Sequence, residues 1–221
     1  MIRGLIFDFD GLILETEGPT HQSWVELFQE FGAELPFEIW ASIIGTSDLE
    51  HFDPFSLLEN KIGSKLDRET LAPRRTAREI ELAHAQPILP GIVETLDKAR
   101  DMGLKLGIAS SSDHAWVTGH LTRLGLAHYF DVVHTSDDVE HTKPDPALYI
   151  LALHSLGLKP EEAIVFEDSP NGVTSAKGAG IFVVAVPNPI TRQLSLEHAN
   201  LKLDTMADLS LDEIISRADH T

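Results

Sequence analysis

Short apolar runs alternate along this chain with segments in which apolar residues recur every three or four positions. Ile2–Phe9 is the first run, bounded by Gly11, and predicts a buried strand. Runs of the same kind recur at Leu104–Ala109, Val132–His134, Ala163–Phe166 and Ile181–Val186. Helical patterns lie between them. Ile92–Met102 stops before Gly103, and a helix capped by Asp113 runs through Leu124 to Gly125. Asp145 or Pro146 opens a third that reaches Leu156 and stops at Gly157, and Asn171 or Gly172 opens a fourth that ends near Gly178. Capping residues at the start and glycines at the end are the expected punctuation. Strands in alternation with helices predict an α/β fold, a parallel sheet with helices on both faces.

One region breaks the rhythm. Between about Glu15 and Gln86 no strand is evident, and helical patterns cover Thr20–Phe31, Phe37–Ile43, Phe55–Lys61 and Arg68–Ala85. This predicts an all-helical domain over residues 16–87, inserted after the first strand, with residues 1–15 and 88–221 forming the sheet-bearing core. Thr16–Gly18 and Pro87–Gly91 are the expected hinges.

Composition narrows the function. No apolar run reaches the roughly 18 residues of a membrane span, and the opening residues lack the charged leader and cleavage site of a signal peptide. Cysteine is absent, which rules out disulfides, thiolate metal sites and cysteine nucleophiles. A cytoplasmic monomer is the expectation. The 35 acidic residues outnumber the 17 Lys and Arg, for a net charge of −18, which argues against nucleic acid and anionic membranes as partners. Any anionic substrate must then be met locally, by a divalent cation and a few placed cationic side chains.

Four strand ends carry residues suited to such a task. Phe7-Asp8-Phe9-Asp10-Gly11 follows the first run. Side chains two apart on a strand share a face, so both carboxylates could bind Mg²⁺ and act as nucleophile and general acid, or simply make a turn. Ser110, Ser111 and Ser112 precede a helix, and hydroxyls there either hold an anion or cap the helix. Lys143 stands between Thr142 and Pro144, either as a phosphoryl clamp or as a solvated lysine in a rigid loop. Glu167 and Asp168 follow the fourth run, as ligands of a hard cation or as a cap. Taken in order, these stretches supply a nucleophile, an acid, phosphate clamps and a metal site, the parts needed for phosphoryl transfer.

With those residues in place, the sequence resembles the haloacid dehalogenase superfamily, in the phosphatase and β-phosphoglucomutase branch with a helical cap. The matching stretches are Asp8-Phe9-Asp10-Gly11-Leu12, Ser110, Lys143-Pro144-Asp145 and Glu167-Asp168-Ser169. The resemblance implies a Rossmann-like core, with the helical insertion as the cap. It implies that Asp8 attacks phosphorus to form an aspartyl-phosphate, while Asp10 protonates the leaving oxygen and then activates water. Ser110 and Lys143 would hold phosphoryl oxygens, with Ser111, Ser112 and Asn171 as further contacts. Mg²⁺ would lie on Asp8, Asp168 and the Asp10 backbone carbonyl, supported by Glu167.

The expected activity is Mg²⁺-dependent hydrolysis of a small phosphorylated metabolite, a sugar phosphate above others. The alternative is a β-phosphoglucomutase-like phosphomutase. In the mutases a cap histidine stands in fixed register before a tryptophan, and a cap arginine grips the second phosphate. Here His21 sits one position nearer Trp24, and Gly45-Thr46-Ser47-Asp48 puts an acid where the arginine belongs. Arg74, Arg75 and Arg78 on the last cap helix could substitute, or form a solvated basic face. His21 and Arg75 are the candidate cap contacts to substrate. A receiver module, phosphorylated on aspartate without turnover, also combines acids, a hydroxyl and a lysine on a parallel sheet. The helical insertion and the acids that follow the lysine set this chain apart from it.

Overall fold

The fold is that of a computed structural model, which describes residues 1–41 and 53–220. Among these residues six parallel strands form one sheet: β1 (Gly4–Phe7), β2 (Lys105–Ala109), β3 (Val132–His134), β4 (Ala163–Glu167), β5 (Phe182–Ala185) and β6 (Leu201–Lys202). Their order is β3-β2-β1-β4-β5-β6, so β1 lies inside the sheet with chain crossing over to either side of it. The doubly wound order and the all-parallel pairing agree with the α/β expectation.

Alternation along each strand feeds two cores. Leu5 and Phe7 of β1, Leu106 and Ile108 of β2, and Ile164 and Phe166 of β4 pack on one face. That face is covered by α5 (Ile92–Asp101), α6 (His114–Arg123) and α9 (Leu211–Ala218). Ile6, Ala109, Ala163 and Val165 point the other way, against α7 (Ala147–Leu156) and α8 (Pro170–Gly178). Burial on both faces is why these strands read as unbroken apolar runs rather than alternating ones.

Among the described residues between β1 and α5 lie the helices α1 (Glu17–Glu30), α2 (Phe37–Ala41), α3 (Pro54–Ile62) and α4 (Arg68–His84). These helices bury a third apolar cluster containing Trp24, Phe28, Trp40, Phe55 and Leu58. The predicted continuation of α2 to Ile43 falls outside the described residues. The two strands of chain that connect this helical layer to the sheet touch each other, for Leu14 bridges Ile88 antiparallel and the Leu89 N–H donates to the Ile13 carbonyl at 3.0 Å.

The punctuation follows the sequence closely. Asp113 caps α6 by accepting from the Trp116 N–H at 2.8 Å, and Gly157 closes α7 with φ of 63°. α8 starts earlier than expected, at Pro170, because the Ser169 hydroxyl already accepts from the Gly172 N–H at 3.1 Å.

Leu96 of α5 is fully buried in the first cluster. Leu96→Ala should destabilise the protein by about 2–5 kcal/mol, as a buried leucine truncation does, measured by urea unfolding monitored by circular dichroism.

Candidate active site

Outside the helical layer, each candidate side chain comes from the carboxyl end of a strand or from the loop beyond it, the position where open parallel sheets bind ligands. Asp8 follows β1, Ser110 follows β2, Lys143 lies between β3 and α7, and Glu167 ends β4 with Asp168 next to it. Carboxylate oxygens of Asp8, Glu167 and Asp168 lie within 4.8 Å of one another, and all three residues are buried.

Among the described residues, Lys143 is the cation that pairs with this cluster. It is 2% exposed, and its Nζ donates to Asp8 Oδ1 at 2.5 Å and to Glu167 Oε1 at 2.6 Å. Glu167 has no exposure and is held from every side. Its Oε1 also accepts from the Tyr149 hydroxyl at 2.5 Å, and its Oε2 accepts from the Asp168 N–H at 3.1 Å and the Ser169 hydroxyl at 3.3 Å. Gly172 is required beside it, because a Cβ there would stand 1.9 Å from the Glu167 carboxyl carbon. Asp168 Oδ2 accepts from Asn188 Nδ2 at 2.7 Å, and Asn188 is itself fixed by the N–H groups of Ile190 and Thr191.

Asp10 is arranged differently. β1 ends at Phe7, so Asp8 and Asp10 sit in the following loop and do not share a strand face, contrary to the period-two expectation. The loop turns at Gly11, whose φ is 79° and whose missing Cβ would otherwise meet Asn188 and Asp168 at 2.4 Å. The turn brings the Asp10 side chain to four donors. Oδ1 accepts from Thr16 Oγ1 and from Trp116 Nε1, both at 2.8 Å. Oδ2 accepts from Ser112 Oγ at 2.7 Å and from Ser110 Oγ at 3.3 Å. The Asp10 carboxylate is therefore outside the three-acid cluster.

The other sequence candidates divide. Ser110 is fully buried beside Asp10, and Ser111 Oγ is buried with no hydrogen-bond partner. His21 packs between Phe37 and Trp40 with its Nε2 buried and without a partner. Arg75 is turned into the α1–α4 contact: it pairs with Glu79 at 2.7 Å, donates to Ser23 Oγ at 3.2 Å and lies 4.7 Å from the Trp24 ring centre. Gly45–Asp48 lies outside the described residues.

The profile of the haloacid dehalogenase-like hydrolases matches residues 5–186, which contain every one of these side chains except Asn188. The chain belongs to that family. Within it, the sequence is 46% identical to YhcW of Bacillus subtilis over 96% of this chain and 95% of that one. It is 33% identical to the fructose-1-phosphate phosphatase YqaB of Escherichia coli over 83% and 95% of the two chains. Among solved structures, a β-phosphoglucomutase of Clostridium difficile superposes with a TM-score of 0.79 at 26% identity, over 100% of this chain and 98% of that one.

In this haloacid dehalogenase-like site, electrostatics are dominated by burial. Burial pushes the Asp8 carboxyl up to about 8; Lys143 opposes the shift, and Glu167 and Asp10 add to it. Burial, then the charges of Asp8 and Glu167, holds Asp168 well above the usual carboxylate range. Burial disfavours charge on Lys143, but Asp8 and Glu167 outweigh it and keep the amine protonated. With all three acids ionised, one lysine would leave about two negative charges uncompensated, and the donors are all hard oxygens. That set fits a divalent cation such as Mg²⁺, which would lower these carboxyls back into their ionised range.

Several contributors have no local signature. Asn188, Tyr149 and Trp116 reach the site from 20, 18 and 106 positions away from their partners. Glu17, at the first turn of α1, is half-buried, and burial followed by the charges of Asp10 and Asp8 pushes it up to about 8. Its clue is position, three residues after the connection out of the sheet.

Mg²⁺ at a hundred times its dissociation constant should stabilise the protein by about 2.7 kcal/mol, seen as a rise in melting temperature that EDTA reverses. Asp168→Asn should remove the rise. Gly172→Ala should weaken it as well, because the methyl group displaces Glu167.

Proposed function

We propose that this protein is a Mg²⁺-dependent phosphatase that hydrolyses a small phosphorylated metabolite, a sugar phosphate, through an aspartyl-phosphate on Asp8. One observation carries the reading. Lys143 ties Asp8 to Glu167 in a buried cluster with Asp168, while Asp10 stands apart, held by neutral donors. One carboxylate is thus set against a cation site and a second is kept for proton transfer.

In the first step an Asp8 oxygen attacks phosphorus. The bond from phosphorus to the substrate oxygen breaks, and Asp10 gives its proton to that oxygen. In the second step Asp10 takes a proton from water as the water attacks phosphorus. Inorganic phosphate leaves and the Asp8 carboxylate is restored. Lys143 and the Ser110 hydroxyl hold phosphoryl oxygens, with Ser111 as a further donor whose hydroxyl has no other partner. Asp8, Asp168 and the Asp10 backbone carbonyl, with Glu167 in support, would hold Mg²⁺, which would supply positive charge to the phosphoryl oxygens. Residues 16–87 act as a cap that closes over the phosphoryl group and excludes water.

The substrate carries a single phosphate in this reading. Lys65, Arg68, Arg74, Arg75 and Arg78 are each committed to an acid within the helical layer. Lys61 stands beside Phe31–Glu34. That is the far end of α1 from Glu17, about 20 Å along a 14-residue helix. Residues 42–52 contain neither lysine nor arginine. A phosphomutase must grip a second phosphate, and among the described residues these pairings supply no free cation for it. The relatives named as sugar-phosphate phosphatases support the same choice. The protein works as a monomer in the cytoplasm, on a freely diffusing metabolite.

With Mg²⁺ and a panel of hexose and hexitol monophosphates, the protein should release inorganic phosphate as sole product. Asp8→Asn should abolish release and Asp10→Ala should lower it by about 10²–10⁴. Conversion of β-glucose 1-phosphate to glucose 6-phosphate without free phosphate would instead establish the mutase.

A further inference from the structure

The Asp10 carboxylate is held by donors of two kinds. Thr16, Ser110 and Ser112 offer hydroxyls, which rotate and can donate or accept. Trp116 offers an indole N–H, which can only donate and whose direction is set by the ring. A rotating hydroxyl can follow Asp10 in either protonation state. The indole cannot: Oδ1 must remain an acceptor.

The ring is fixed by its surroundings. Trp116 lies in the first turn of α6, where its own N–H binds the capping Asp113 at 2.8 Å. Its ring meets that of His120 in a T-shaped contact with centres 4.4 Å apart. His120 is 4% exposed and packs in turn on His84, the last residue of α4, at 5.4 Å. The indole therefore packs against the sheet core and His120, and His120 is backed by the end of α4.

We propose that Trp116 is a positioning residue for the proton transfer, whose indole N–H at 2.8 Å reserves Oδ1 of Asp10 as acceptor and so directs the transferable proton to Oδ2. Oδ2 is the oxygen beside Ser110 and Ser112. On phosphoryl transfer the Oδ2–H bond breaks, the proton passes to the oxygen leaving phosphorus, and Asp10 is left as carboxylate. This assignment rests on the reading of Asp10 as the general acid. Without the indole neither the proton nor the plane of the carboxyl is held, and the acid is misplaced relative to the leaving oxygen.

The test compares leaving groups. p-Nitrophenolate leaves without help from an acid, whereas a sugar alkoxide needs its proton, and kcat/KM reports the step in which the bond to the leaving group breaks. Trp116→Phe should lower kcat/KM for a hexose phosphate by roughly tenfold to a hundredfold, the range a misplaced catalytic group costs. It should leave p-nitrophenyl phosphate little changed. Trp116→His should recover part of the loss, because the five-membered ring of histidine can place Nε2 where the indole Nε1 stands. Equal losses on both substrates, no loss on either, or a histidine variant no better than phenylalanine would overturn the proposal. Should the phenylalanine protein not fold, Trp116→Leu gives the same comparison. Wild type and Asp8→Asn run alongside separate this outcome from the wider reading: phosphate release that survives Asp8→Asn removes the nucleophile, whatever Trp116 does.

Discussion

Three carboxylates held together out of water are the costly element of this structure, and the ion pair of Lys143 with Asp8 and Glu167 is what makes the gathering tolerable. An isolated buried carboxylate would take up a proton rather than stay charged. Here the amine supplies hydrogen bonds to two of the acids at once. Removing one partner of such a buried set leaves the other charge uncompensated, which costs more than the pair itself contributes. The rest of the site serves the same constraint. Tyr149 keeps its proton, because burial and then the charge of Glu167 raise its pKa well above the ordinary phenol, and so it remains a donor to Glu167. Gly172 leaves the volume that the Glu167 carboxylate fills, and Gly11 leaves room for Asp168 and Asn188.

The helical layer meets its own charges in another way. Arg68 joins Asp53 and Glu59, Arg78 joins Glu26 and Glu81, and Arg75 joins Glu79 over the Trp24 ring. Most of these pairs are partly exposed, where an ion pair contributes little to stability. Their larger effect is to occupy the positive side chains. A basic face read from Arg74, Arg75 and Arg78 in the sequence is, in the fold, a seam between α1 and α4 and a set of partners for Glu26 and Glu30.

The sheet was legible because burial on both faces leaves unbroken apolar runs, and the helices because caps and glycines mark their ends. Three local features escaped. Phe9 looks like a continuation of β1, yet it is apolar because it is buried under the loop, with no partner in the ladder. β6 has two residues, too short for any periodicity to register, and α9 is announced by the capping-box spacing of Ser210 and Glu213, which strand–helix alternation does not use. In the site, residues that belong to short local motifs could be found: Asp8, Asp10, Lys143, Asp168. Asn188, Tyr149 and Trp116 could not, since an asparagine, a tyrosine or a tryptophan becomes part of the site only through a contact across the fold.

The side-by-side connections at Leu14 and Ile88 have a consequence for how the chain is assembled. The polypeptide leaves the sheet and returns to it at adjacent points, so the intervening stretch is an excursion with almost no net span. The entropy of closing such an excursion grows only logarithmically with its length. The sheet thus sets few limits on the size of what is inserted there, and the inserted part can vary in length and sequence while the strand ends that carry the acid cluster stay where they are.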